Sequence, residues 1–161
     1  MLTIVILVVL ALGVVSSGRP ADRVVTGPSA ASDARAHERL RDLRRVIDAV
    51  TAHVSPGASR RLRARVGALH ERARGAPGTP VALTVSKGAR IEMCLRNPDG
   101  ELLPLVAATR VLVHELAHVV CDEVGHTPQF YLTEAQLLRA AVVSGHLPDA
   151  EVAGTYCGAH L

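Results

Sequence analysis

His114, Glu115, Leu116, Ala117 and His118 form an H-E-x-x-H pattern. Residues four apart lie on one helix face a turn apart, so both imidazoles can reach a single tetrahedral Zn²⁺ at about 2.0–2.1 Å. Glu115 is then angled toward water in the open coordination position. Zinc brings the pKa of such a water near about 7, and a carboxylate beside it can take the proton as the water attacks a polarised amide carbonyl. With 8 His and eight Glu in 161 residues, residue frequencies give the pattern a chance of roughly 0.02 somewhere in the chain. Two incidental histidines on a surface helix are the competing reading. Leu112, Val113, Leu116, Val119 and Val120 surround the motif, and burying two imidazoles and a carboxylate without partners is costly, which favours a metal site.

A zinc hydrolase needs a third protein ligand and an open fourth position. His126 is the favoured candidate, because a chain reversal at Gly125 can return it to the His114 and His118 face; otherwise it only flanks the next helix. Cys121 is the rival, three residues after His118 and seven after His114, although a small buried Cys on a helix is commonplace. Glu123 is a weaker third, near the helix end where solvation suffices. Cys157 reaches the metal only if the tail folds back, and Cys94 reads as strand core. His37, His53 and His70 lie among arginines and read as surface residues. His146, His160, Tyr156 and Arg139 are candidate donors to a transition-state oxyanion, each with a structural or exposed role as its ordinary reading.

The elements that must position these groups follow from periodicity. Leu40, Leu43, Val46, Ile47 and Val50 recur at helical spacing and predict an amphipathic helix over residues 32–54. Ser55, Pro56 and Gly57 break it, and Leu62, Val66 and Leu69 predict a second basic helix over 58–74. Residues 81–85 and 91–95 read as short strands flanking Lys87-Gly88, forming a small antiparallel sheet. Beyond Pro104 a wide apolar run predicts the central helix, ending near Gly125. Thr127 and Pro128 are N-cap and N1 of a further helix that stops at Gly145.

Hydrophobic residues make up 48% of the chain, which excludes wholesale disorder, and the length suits one compact domain. With 2 Tyr, 1 Phe and 0 Trp, aromatic platforms for single-stranded nucleic acid are nearly excluded. The 3 Cys are too few, and odd in number, for a disulfide-stapled scaffold, and fit a reducing location. Residues 35–74 hold eleven Arg against four acids, a balance of +7, whereas residues 92–161 balance at −6. Lys87 is the only Lys, and the Arg excess reads as compositional bias. Residues 2–15 carry no charge; with Arg19, Arg23 and Arg35 following, the positive-inside rule favours a retained anchor and a domain on the cytoplasmic side, with a cleaved export signal as the alternative. The stretch 18–32 reads as a flexible tether.

The segment VLVHELAHVVCDEVGHTPQFY, together with Cys94-Leu95-Arg96 before it and Tyr156-Cys157-Gly158 after it, resembles the WLM and SprT-like metallopeptidases of the zincin group, most closely WLM-type proteins of large DNA viruses. The resemblance spans about residues 81–158. It implies a zinc peptidase in which His114, His118 and His126 hold the metal and Glu115 is the base. Relatives act on proteins crosslinked to DNA, so the resemblance also implies a DNA contact for the segment from Arg35 to Arg74; a solvated helix face is the competing reading. The chain departs from the family pattern in a longer interval between His118 and His126 and in its few aromatic residues.

The expected organisation is an α+β zincin-like metallopeptidase domain over 33–161, preceded by an apolar anchor or signal segment over 1–17 and a linker over 18–32. The expected function is zinc-dependent peptide-bond hydrolysis on a protein or peptide substrate, with strand 91–95 as the edge that receives it. An inactive, membrane-tethered zincin-like binding module is the alternative. A third reading is a metal-free membrane-anchored protein whose Arg-rich helices bind acidic lipid or nucleic acid.

Overall fold

A computed structural model describes residues 24–25, 34–73, 80–97, 99–150, 152, 155–157 and 159–160. Its elements run β1 (Val24–Val25), α1 (Ala34–His53), α2 (Pro56–Arg65), β2 (Ala68–Arg72), β3 (Ala82–Val85), a 3₁₀ turn (Ser86–Gly88), β4 (Arg90–Cys94), α3 (Leu105–Val120), α4 (Pro128–Val143), β5 (Thr155–Tyr156) and β6 (Ala159–His160). The α+β expectation holds.

The first helix forms where its period requires. Leu40, Leu43, Val46, Ile47 and Val50 make one buried stripe that packs on α3, α4 and β2. The second helix is shorter than expected. It ends at Arg65, and the chain from Ala68 becomes a strand. The cause is a close crossing: Gly67 N–H donates to Gly88 O at 2.8 Å, and a Cβ at Gly67 would lie 2.2 Å from Ala89 O. Helix cannot continue through that contact, and Leu69 is buried by strand alternation instead.

The sheet order is β1-β2-β4-β3. β2 pairs with β1 and β4 in parallel, and only β3 and β4 are antiparallel. The sheet is therefore mixed, which corrects the antiparallel expectation. Strand β4 lies between two partners, so residues 91–95 cannot be the substrate edge; among the described residues the edge strands are β1 and β3, and β3 is the one that packs on α3. Leu69, Ile91 and Met93 are buried on the inner face, covered by α1 and α3. His70 and Glu92, in register with one another, occupy the other face.

Helix α3 is the most buried element, with Ala108, Leu112, Val113, Leu116, Ala117 and Val119 fully enclosed. Burying one such Leu contributes about 1.5–3 kcal/mol. It stops at Val120, earlier than expected, because Cys121 is already extended (φ −70°, ψ 131°). Thr127 caps α4 as predicted, its Oγ1 accepting from Phe130 N–H at 3.2 Å with Pro128 following.

The tail folds back onto the sheet. Tyr156 is fully buried, its hydroxyl donates to Cys94 O, and Cys157 forms a disulfide with Cys94 across 63 positions of sequence. This corrects the reading of Cys94 as plain strand core and of Cys157 as a residue that could reach the metal. Cys121 alone is free, and it is buried.

The expected membrane-anchored location is also corrected. No helix among the described residues is long and apolar enough to cross a membrane; the 16 residues of α3 span about 24 Å against a hydrocarbon core of about 30 Å, and beyond Leu105 and Val106 its apolar side chains are buried. Residues 1–17, on which the anchor and export readings rested, lie outside the described residues. Within 18–32, expected as linker, Val24 and Val25 pair with Leu69 and His70.

Candidate metal centre

Helix α3 presents His114 and His118 one turn apart, and the loop after it returns His126 to the same place. Ligand atoms of the three histidines all lie within 4.8 Å of one another. His126 Nε2 and His114 Nε2 are 3.0 Å apart, close to the roughly 3.4 Å edge of a tetrahedron with 2.0–2.1 Å zinc–nitrogen bonds. Phe130, itself fully buried, packs against all three rings at centroid distances of 5.0, 4.3 and 4.7 Å. It braces the cluster from the side of α4.

Each imidazole is prepared differently. His114 Nδ1 lies 3.0 Å from Glu134 Oε1, and Arg110 Nη1 donates to the same oxygen at 2.7 Å. The His114 bond, helped by Arg110 and opposed by burial, lowers Glu134 to about 2. Such a carboxylate can only accept, so the His114 proton resides on Nδ1 and Nε2 faces the cluster with a free lone pair. Burial, reinforced by His114, His126 and Lys87, lowers His118 to about 4, leaving it neutral as a metal ligand must be. Three convergent imidazole donors fit a borderline-soft cation such as Zn²⁺.

Glu115 is buried and lies beside this cluster, facing β3. Thr84 Oγ1 is 2.6 Å from Glu115 Oε2 and 3.1 Å from the Glu115 carbonyl. Burial raises the Glu115 carboxyl above its ordinary range, and the Thr84 bond and the neighbouring His114 and His126 act against that rise.

The other candidates are placed elsewhere. Cys157 is bonded to Cys94, and Cys121 lies outside the three-histidine group. Glu123 is exposed at the loop surface, its carbonyl bonded to Lys87. Tyr156 is enclosed, and burial raises its phenol well above the ordinary value. His146 Nδ1 meets Ser144 Oγ, Arg139 is exposed, and nothing is described of the His160 side chain.

Sequence reasoning missed Thr84, Arg110 and Glu134. Glu134 carried a signal: Phe130, Leu137 and Ala141 share its buried stripe on α4, and an acid on such a stripe needs a partner. Lys87 carried another as the sole Lys in an Arg-rich chain.

The basic segment is largely engaged within the protein. Arg39 and Arg44 donate to Leu103 O and Gly67 O. Arg61 and Arg65 bond the end of α3 and Asp122, and Arg72 pairs with Glu92. Nothing in these contacts supports a nucleic-acid or membrane partner.

The family model of the WLM domain matches residues 25–152. An uncharacterized protein of Acanthamoeba polyphaga mimivirus is 32% identical over 85 residues, covering 50% of this chain and 43% of the viral protein. The chain thus matches less than half of that relative's length. Among solved structures, the fold is similar to Wss1 from Saccharomyces cerevisiae, with TM-score 0.62, 18% identity and coverage of 76% of this chain and 90% of that one. It is also similar to Wss1 from S. pombe, with TM-score 0.50, 24% identity and coverage of 74% and 90%. The chain belongs to the WLM domain family, a zincin-like metallopeptidase family, and has a viral relative.

Proposed function

We propose that the protein is a zinc-dependent peptidase in which His114, His118 and His126 hold the metal and Glu115 is the general base. The observation that carries this reading is the convergence of the three imidazoles beside a buried carboxylate. Zinc bound there supplies a Lewis acid that polarises the scissile carbonyl and acidifies water. Glu115 accepts the proton of the attacking water at its carboxylate and returns it to the leaving amine. Thr84 holds that carboxylate against the sheet, and Glu134 with Arg110 fixes the His114 ring. These outer contacts give the ligands and base one orientation before substrate arrives.

The substrate is an extended protein or peptide segment that adds to the open edge of β3, one strand from the metal helix. Exposed Leu83 on β3 and Tyr131 near His126 offer apolar contacts along that approach. Burial raises the Glu115 carboxyl above its ordinary range, which makes it a stronger base than a solvated carboxylate.

The test is metal content by mass spectrometry on the full chain, beside cleavage of an unstructured protein substrate. About one zinc per chain is expected, reduced in His114→Ala, His118→Ala and His126→Ala and retained in Glu115→Gln, which should not cleave. A protein that binds no zinc on refolding with the metal, or a Glu115→Gln variant that cleaves like the parent, would refute the reading.

A further inference from the structure

Five successive carbonyls at the end of α3 and in the loop beyond it are taken by three cations from other elements. Arg65 Nη1 donates to Val119 O at 2.9 Å and Arg61 Nη1 to Val120 O at 2.7 Å. Lys87 Nζ then reaches Cys121 O at 2.8 Å, Asp122 O at 3.4 Å and Glu123 O at 3.0 Å. An ammonium has three N–H donors and no acceptor, so three carbonyls exhaust it. The cation also faces the negative end of the helix dipole. Three residues later the loop delivers His126.

The turn that carries Lys87 is unusual. Ser86 and Lys87 both have left-handed backbone, with φ 48° and 53°, and Gly88 follows at 110°. A Cβ at Gly88 would stand 2.9 Å from Val119 Cγ2 and 3.0 Å from Arg65 O, so the turn is seated directly on the end of α3. Two consecutive non-glycine residues rarely adopt this conformation, and where they do the surrounding structure must hold them and a function is to be sought. A tight reversal between β3 and β4 itself favours left-handed residues, so the conformation alone assigns no role to Lys87. What the turn achieves is to aim Lys87 at the loop.

We infer that Lys87 is a positioning residue for the third metal ligand: by holding residues 121–123 it sets where His126 meets His114 and His118. The inference rests on His126 being a ligand. Val124 is 87% exposed and Gly125 turns with φ 85°, so the loop is held at residues 121–123, by Lys87 and by the Arg61 and Arg65 pairs with Asp122, while Phe130 packs on the His126 ring itself.

The experiment compares zinc affinity of the full chain, by competition with a chromophoric chelator, in the parent, Lys87→Met, Lys87→Arg, His126→Ala and the double variant Lys87→Met/His126→Ala. Lys87→Met is expected to weaken zinc at least tenfold, and Lys87→Arg about threefold, because a planar guanidinium cannot serve all three carbonyls. In the His126→Ala background the Lys87→Met effect should disappear, which a general loss of stability would not do. Amide exchange of residues 122–126 in the metal-free protein should also speed up in Lys87→Met. Lys87→Gln, judged by the same criteria, replaces Lys87→Met if that variant does not fold. A Lys87→Met affinity within twofold of the parent, beside a weakened His126→Ala, would overturn this inference and leave the ligand set standing. So would an effect that persists in full without His126. Unchanged affinity in His126→Ala would overturn both.

Discussion

Thr84 Oγ1 and Glu115 Oε2 are 2.6 Å apart, which ties the open sheet edge to the carboxylate on the metal helix. A peptide added to β3 would therefore be registered against the same residue that holds the base. Replacing Thr84 by Val removes a bond to a charged group, and kcat should fall about tenfold. That bond lowers the Glu115 pKa, so the acidic limb of kcat/KM should move to higher pH, and Thr84→Ser should restore it. A pH–rate profile unchanged in Thr84→Val would separate Thr84 from the base.

Burial of Glu115 carries a cost in stability. Burial raises its folded pKa above the ordinary 4.5, so its contribution is favourable below that value and is lost as pH rises through the folded pKa. Metal-free Glu115→Gln should melt higher than the parent at pH 8, and the difference should close toward pH 4. Thermal melts at both pH values check this; equal melting at pH 8 would show that the carboxylate is not penalised.

Glu134 has the opposite sign. Its pKa is lowered to about 2, first by the His114 bond, so it stabilises the fold above about 4.5 and the benefit is lost as pH falls from there toward 2. Glu134→Gln should show a shallower loss of urea resistance over that window. Its zinc affinity should drop by about 10–100-fold, as for other partners of ligating histidines. Retained affinity would mean that Phe130 packing alone orients His114.

The Cys94–Cys157 disulfide closes a loop of 63 positions, for which the chain-entropy model gives about 4 kcal/mol. Reduction, or the Cys94→Ala/Cys157→Ala pair, should cost about 2–4 kcal/mol and lower Tm by many degrees. Calorimetry with and without reductant measures it. An unchanged Tm would mean that Tyr156 packing holds the tail unaided.

Much of the site was legible because it is local. The H-E-x-x-H pair, the Thr127-Pro128 start of α4 and the return of His126 through Gly125 all lie within twenty residues, where helical period and capping chemistry act directly. The parts that were not legible depend on distant contacts. Leu69 fits a 3.6-residue stripe with Leu62 and Val66, and only the approach of Ala89 to Gly67 turns that stretch into a strand. Parallel pairing of β2 with β4 has no turn signal between them. Cys94 reads as core by alternation, and its bond to Cys157 becomes visible only when the tail is seen to return. The basic segment read as composition, yet Arg61 and Arg65 have structural partners 54 or more residues away.

The hold that Lys87 exerts on residues 121–123 has a consequence for how members of this family are found. A ligand placed by the helix that bears it must sit a fixed number of residues along the chain. A ligand placed by an outside cation is free of that count, because residues can be inserted before it while its loop stays anchored at the same carbonyls. If His126 binds the metal and Lys87 places it, the long interval between His118 and His126 is a tolerated length variation, not a damaged motif. Searches that fix this spacing would discard such chains, and pairing the H-E-x-x-H pattern with a lone basic residue in the preceding hairpin would recover them.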